Sequence, residues 1–298
     1  MRAETGIKVA RLAHVGLRAR DLGKQAEFYT DRWGLDAIDE HGSDMYLRAE
    51  GPDHHVLTLH AKGEAGLDHF AFEVERPDDI DRMVDILGAR GVEIVTPPTP
   101  ELEPGVKRAI RFKDPEGNVV ELLAGVDRVN DPYGPRDVKP QALNHVVLFT
   151  RDRPTMEAFY GGLLGFKLSD VLADFMTFWR CNANHHSMAF VGAHGDQKGL
   201  HHAAFDMKDW EEFMRAVFYM GEKRVKRMWG PGRHLAGNNL FSYYFDPEGN
   251  VVEYTAEVEQ ITSDDYVPPV RPVIPDQWGS FPPGMPAPAE SNPGFGGA

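Results

Sequence analysis

The chain repeats itself, and that repeat limits its fold more than any other feature. Leu12-Ala13-His14-Val15-Gly16-Leu17, followed by Phe28-Tyr29 and Gly34-Leu35, returns as Leu143-Asn144-His145-Val146-Val147-Leu148, followed by Phe159-Tyr160 and Gly165-Phe166. Gly66-Leu67-Asp68-His69 returns as Gly199-Leu200-His201-His202, and Asp114-Pro115-Glu116-Gly117-Asn118-Val119-Val120-Glu121 as Asp246-Pro247-Glu248-Gly249-Asn250-Val251-Val252-Glu253. The offsets are 131 residues from His14 to His145, 133 from His69 to His202, and 132 from Glu121 to Glu253. Three signatures in one order at one spacing mark a tandem duplication.

A length of 298 residues suits two domains. The reading is residues 1–128 for the first, a turn-rich linker over 129–140, 141–262 for the second, and an extended Pro/Gly-rich tail over 263–298. Each half shows a short β-like run, a helix and further short runs bounded by Gly, Pro and Asp. This predicts an α+β fold of four βαβββ units, two per half, each half curling into a cavity-bearing, barrel-like sheet. Asp78 to Gly88 puts Ile80, Met83, Val84 and Leu87 on one helical face, and Asp209 to Gly221 does so with Trp210, Phe213, Met214, Val217 and Phe218. The tail carries nine prolines from Tyr266 onward, which predicts neither packed strand nor helix there.

Lys plus Arg number 32 against 46 Asp plus Glu, a net charge of −14 with no basic cluster, which argues against nucleic acid or an anionic membrane as partner. A single cysteine, Cys181, permits no internal disulfide, and no signal-peptide segment opens the chain, so a cytoplasmic setting is expected.

Asp246-Pro247-Glu248-Gly249-Asn250 is a turn between Phe241–Phe245 and Val251–Tyr254, and a five-residue loop would set Tyr243 opposite Glu253. The same count in the first half sets Arg111 opposite Glu121. His145, His202 and Glu253 each fall in an apolar strand. A lone strand histidine is ordinarily a core or surface residue. Two imidazoles and a carboxylate on one face, however, leave half an octahedron open and suit a divalent metal, with Fe(II) first, Mn(II) next, and Zn(II) not excluded by the triad alone.

These residues resemble the two-domain extradiol ring-cleaving dioxygenases of the vicinal oxygen chelate superfamily, the catechol 2,3-dioxygenase and dihydroxybiphenyl dioxygenase group, over residues 7 to 260. The resemblance implies iron ligation by His145, His202 and Glu253, an acid/base role for His186, and second-sphere roles for His234 and Tyr243. It implies O2 and a small aromatic diol as substrates, ring opening beside the diol, and a homo-oligomer. Strand alternation should turn His201 away from the site, while His185 has no assigned role. His14, His69 and Glu121 fill all three ligand positions of the first half, but Arg111 stands where Tyr243 stands and Leu102 where His234 stands, so a relic of the duplication is expected there rather than a working centre. Phe175, Phe178, Trp179 and Trp229 are candidates for the pocket wall. The rival readings are a glyoxalase-like metal-dependent isomerase and a metal-free binding protein of the bleomycin-resistance type.

Overall fold

The computed structural model describes residues 5–272 and 276–279. Expectations for the rest of the tail lie outside the described residues. The first repeat forms one eight-stranded sheet from β1 (Val9–Ala19), β2 (Asp36–His41), β3 (Asp44–Arg48), β4 (Leu57–Ala61), β5 (Gly66–Val74), β6 (Ile94–Pro100), β7 (Val106–Lys113) and β8 (Val119–Val126), in the order β2-β3-β4-β1-β5-β8-β7-β6. The order is two βαβββ units joined edge to edge. In each unit the first strand lies parallel to the last (β1 with β4, β5 with β8), and β1 and β5 meet antiparallel at the seam.

The second repeat builds the same sheet from β9 (Ala142–Thr150), β10 (Lys167–Leu172), β11 (Met176–Arg180), β12 (Met188–Gly192), β13 (Gly199–Asp206), β14 (Arg227–His234), β15 (Leu240–Phe245) and β16 (Val251–Ala256). Two tail strands, β17 (Val270–Arg271) and β18 (Asp276–Gly279), extend it at opposite edges by pairing with β10 and β14. The tail therefore does contribute strands. Its prolines flank the paired residues, and edge strands tolerate such neighbours because one side of each needs no partner.

The helices are α1 (Leu22–Glu27) and α3 (Arg153–Ala158), each continued by a π turn, and the longer α2 (Asp78–Ala89) and α4 (Trp210–Glu222). Ile80, Met83 and Leu87 of α2 and Phe213, Val217 and Met220 of α4 are buried. Val84, Trp210 and Phe218, expected on the core face, are exposed, Phe218 at 70%. Val84 and Phe218 lie at the rims of apolar arcs wider than the surface their sheets cover, and Trp210 is the first residue of α4. Among the described residues no helix is long and apolar enough to cross a membrane.

The repeats interlock through two of the motifs that revealed them. The Tyr29 hydroxyl donates to Asp246 Oδ2 (3.0 Å), and the Tyr160 hydroxyl donates to Asp114 Oδ2 (3.1 Å). Glu248 likewise accepts from the backbone N–H groups of Arg20 and Asp21 ahead of α1, while Glu116 accepts from those of Arg151 and Asp152 ahead of α3. Trp33 stacks on Tyr254 with ring centroids 3.8 Å apart. The apolar side chains of both repeats consequently merge into one continuous core rather than two. Alternation on β9 shows how strands serve both sides: Val146 and Leu148 face this core, while Val147 faces a smaller cluster with Leu172, Phe178, Ala189, Val191 and Ala236 on the concave face.

Candidate metal centre

His145, His202 and Glu253 lie on β9, β13 and β16, three adjacent strands. Ala204 pairs with His145 on one side and Glu253 on the other, so the three share a face, and His202 sits two residues earlier on that face. His145 Nε2 is 3.2 Å from Glu253 Oε2, His202 Nε2 is 3.1 Å from the same oxygen, and the two Nε2 atoms are 3.4 Å apart. Adjacent ligands around an ion with bonds of about 2.1 Å stand roughly 3 Å apart, so this spacing fits a divalent metal. Glu253 Oε1 is buried without a hydrogen-bond partner, and all three side chains are buried. Burial would raise the Glu253 carboxyl, but His145 and His202 hold it down at about 2.

The outer nitrogens are also fixed. His145 Nδ1 meets Asn144 Oδ1 at 2.8 Å, which leaves Nε2 as the free lone pair. His202 Nδ1 meets His201 Nδ1 at 2.6 Å. His201 was expected on the opposite face, yet it lines the same cavity. A β-bulge explains this: Leu200 and His202 oppose consecutive residues of β9, leaving His201 unpaired and breaking the alternation.

His145 and His202 line a concave cavity of about 120 Å³. Leu172, Phe175, Phe178, Val191 and Trp229 form its wall, with Phe175 half-exposed at 42%. Trp179 is not part of it. One residue after Phe178, it points to the other face, where its indole N–H donates to Thr177 Oγ1 and its ring packs on Gly161. A larger cleft of about 770 Å³ lies at the seam of the repeats, but none of the histidine–carboxylate clusters lines it.

His186, His234 and Tyr243 all reach the cavity. The hairpin has the expected register, with Tyr243 opposite Glu253 and Arg111 opposite Glu121. The His186 ring lies 4.1 Å from that of His145. Burial and the neighbouring imidazoles of His145, His185 and His234 push its pKa well below 6.5, whereas its type alone predicts a value near working pH. His185 is wholly buried behind it, 3.1 Å away Nδ1 to Nδ1, and 3.5 Å from Asp170. His234 Nε2 meets the Tyr243 hydroxyl at 2.9 Å, and its Nδ1 meets Asp276 Oδ1 of β18 at 2.8 Å. Burial, Glu253 and Asp276 hold the Tyr243 hydroxyl well above 10, so it stays a donor. Asp276 escaped the sequence reading because it comes from the tail, 42 residues from its partner, with no motif around it.

In the first repeat His14, His69 and Glu121 occupy the corresponding strands β1, β5 and β8, and the expected Arg111–Glu121 ion pair is present, Nε to Oε2 2.6 Å. The side chain beside Arg111, as His234 is beside Tyr243, is Glu103 from the β6–β7 turn and not Leu102. Leu102 packs with Val106 and Ala109, whereas Glu103 turns inward onto His14, His55, His69 and Arg111.

The profile of the Glyoxalase/Bleomycin resistance protein/Dioxygenase superfamily matches residues 11–122 and again 142–254. The metapyrocatechase of Pseudomonas sp. (strain CF600) is 30% identical over 262 residues, 81% of this chain and 84% of that protein. A manganese-dependent 2,3-dihydroxybiphenyl 1,2-dioxygenase of Geobacillus genomosp. 3 is 28% identical over 260 residues, covering 80% and 82%. Among solved structures, the Mn(II)-bound glyoxalase from Novosphingobium aromaticivorans superposes with a TM-score of 0.86 at 33% identity, covering 97% of both chains. Twice matched by one profile and aligned along most of its ring-cleaving relatives, the chain belongs to the Glyoxalase/Bleomycin resistance protein/Dioxygenase superfamily and, within it, to the two-domain extradiol dioxygenase group.

Proposed function

We propose that the protein is an extradiol dioxygenase that opens a catechol-type ring beside the diol and incorporates both atoms of O2, with the chemistry in the second repeat. The observation that carries this reading is the set of three buried donor atoms 3.1–3.4 Å apart, two of them on histidines that line an apolar, aromatic-walled cavity. His145, His202 and Glu253 would hold the ion, Fe(II) first and Mn(II) next. When bound, the ion supplies the Lewis acidity and redox path that join an electron-rich diol to O2.

The remaining steps belong to the chain itself. His186, kept neutral, accepts a proton from a diol hydroxyl and later returns one. Tyr243, kept protonated, donates to a substrate oxygen beside Glu253. Asp276 orients His234, whose other nitrogen faces Tyr243, so the three form one relay at the cavity edge. Phe178 and Trp229 pack against an aromatic ring and exclude water, which favours an apolar substituent. We divide the chain as residues 1–128, 129–140, 141–262 and 263–298, and take it as a cytoplasmic homo-oligomer. The single cysteine, Cys181, a free thiol that permits no internal disulfide, supports the first of those points, and the resemblance to the two-domain dioxygenases the second.

The test is anaerobic purification with metal analysis, then addition of catechol, 3-methylcatechol or 2,3-dihydroxybiphenyl in air. Bound iron or manganese and one O2 consumed per diol are expected. His145→Ala, His202→Ala or Glu253→Ala should lose the metal, and full retention in those variants overturns the ligand assignment. The Novosphingobium neighbour favours one second reading, a metal-dependent isomerase of glyoxalase type. Turnover of a thiol–aldehyde adduct without oxygen uptake would select it.

A further inference from the structure

The first repeat contains a second cluster that the proposed chemistry does not use. Ala71 pairs with His14 on one side and Glu121 on the other, as Ala204 does in the second repeat, so His14, His69 and Glu121 share a face. His14 Nε2 is 3.0 Å from His69 Nε2 and 3.2 Å from Glu103 Oε2, and His69 Nε2 is 3.3 Å from Glu103 Oε1. Those are again the separations of neighbouring ligands on one ion. The outer contacts are equally organised. Asp68 holds His69 Nδ1 at 3.0 Å, turning Nε2 inward, and His55 holds Glu103 at 3.1 Å. All four candidate donors are buried, and Glu121 Oε1 has no hydrogen-bond partner.

One side chain separates this cluster from its counterpart. Arg111 stands opposite Glu121 where Tyr243 stands opposite Glu253. Its Nε donates to Glu121 Oε2 at 2.6 Å, and its Nη2 donates to Glu103 while lying 3.2 Å from His69 Nε2. A single guanidinium thus touches three of the four groups that would ligate an ion. We infer that Arg111 occupies the cation position of the first repeat: the pocket is a divalent-metal site closed by its own arginine, and it opens to a metal when that side chain is removed.

Charge supports the assignment. Arg111 already supplies the positive charge that Glu103 and Glu121 face, and a divalent ion beside it would set like charges together in a buried pocket. Without the arginine, the two carboxylates match one divalent ion. Two imidazole nitrogens with two carboxylates suit Mn(II), Fe(II) or Zn(II) rather than a soft or monovalent cation. The inference stands on the first repeat alone and does not require the proposed ring cleavage.

The experiment uses the full chain carrying His145→Ala and His202→Ala, so that the second-repeat triad is disabled. Each protein is expressed with added Mn(II), desalted, and analysed for manganese by mass spectrometry and electron paramagnetic resonance. With Arg111 intact no manganese should remain. Arg111→Leu or Arg111→Tyr should each retain one Mn(II) per chain, and a further Glu121→Gln should lose it. Arg111→Lys, which keeps the charge, should retain none. Because Arg111→Leu leaves two buried carboxylates without their guanidinium, it should also show a higher melting temperature with Mn(II) than without, a shift absent with Arg111 intact. Retention of one Mn(II) with Arg111 intact would show an open site and overturn the inference. Failure of both the Leu and Tyr variants to hold Mn(II), folded or not, overturns it as well. A wild-type chain without any metal would count against the proposed function and leave this comparison readable.

Discussion

Replacing Tyr29 by Phe tests whether the reciprocal tyrosine–aspartate contacts hold the two repeats together. Asp246 accepts five hydrogen bonds: from the Tyr29 hydroxyl at 3.0 Å, the Gln25 amide at 2.9 Å, the Asn250 amide at 2.8 Å, and the backbone N–H groups of Glu248 and Asn250 at 2.9 and 2.8 Å. The first two cross between repeats, and their donors are wholly buried. Tyr29→Phe removes one bond to an ionised acceptor that keeps four others, so the expected cost is about 1.5–2 kcal/mol. Asp246→Ala instead strands two buried donors at about 1–3 kcal/mol each, for a loss of roughly 2–6 kcal/mol. At roughly 2–4 °C per kcal/mol, Tyr29→Phe should lower the melting temperature by about 3–8 °C. Urea unfolding followed by circular dichroism gives the free energies, and the double variant gives a coupling of at least about 1 kcal/mol. Tyr160→Phe should reproduce the Tyr29 result through Asp114. A Tyr29→Phe change below about 0.5 kcal/mol, or strict additivity with Asp246→Ala, would refute the reasoning.

Three further outcomes follow from the site. His186→Ala should keep its metal and lose roughly 100-fold or more in kcat, as removal of a proton-transfer group does; loss of metal instead would make His186 a ligand. Asp276→Asn should lower kcat about 5- to 30-fold with little change in KM, corresponding to about 1–2 kcal/mol of lost orientation of His234, and an unchanged kcat would leave the tail strand a purely structural role. The metal-free protein should lose stability in acid. Burial pushes His14 down to about 4, so the unfolded chain takes up that proton first, near 6.5. The stabilisation is complete above about pH 6.5 and falls by up to about 1.4 kcal/mol per pH unit as pH drops toward 4. Urea midpoints that stay level between pH 7.5 and 5 would contradict this.

What the sequence revealed and what it hid have separate physical causes. The Asp246–Asn250 turn fixes a hairpin register by chemistry local to the turn, so Tyr243 opposite Glu253 was legible from residue counts. The triad was legible because each ligand sits in a motif repeated 131 to 133 residues away. His201 was misplaced because a bulge has no signature in an apolar run. Glu103 was missed because it lies in the turn between β6 and β7, where no strand alternation tells which way a side chain points, and Asp276 because it reaches His234 only through a strand added at the sheet edge. The Phe-Tyr and Asp-Pro-Glu-Gly-Asn motifs announced the repeat, but their use as mutual clasps depends on how the halves dock, which no local pattern encodes.

Isotope labelling tests the central claim most directly: turnover of a catechol by the metal-loaded protein under 18O2, with the product analysed at once by mass spectrometry. Extradiol cleavage predicts a ring-opened product that carries both heavy oxygen atoms. A product formed without heavy oxygen, or a diol recovered unchanged by protein that holds its metal, would contradict the account.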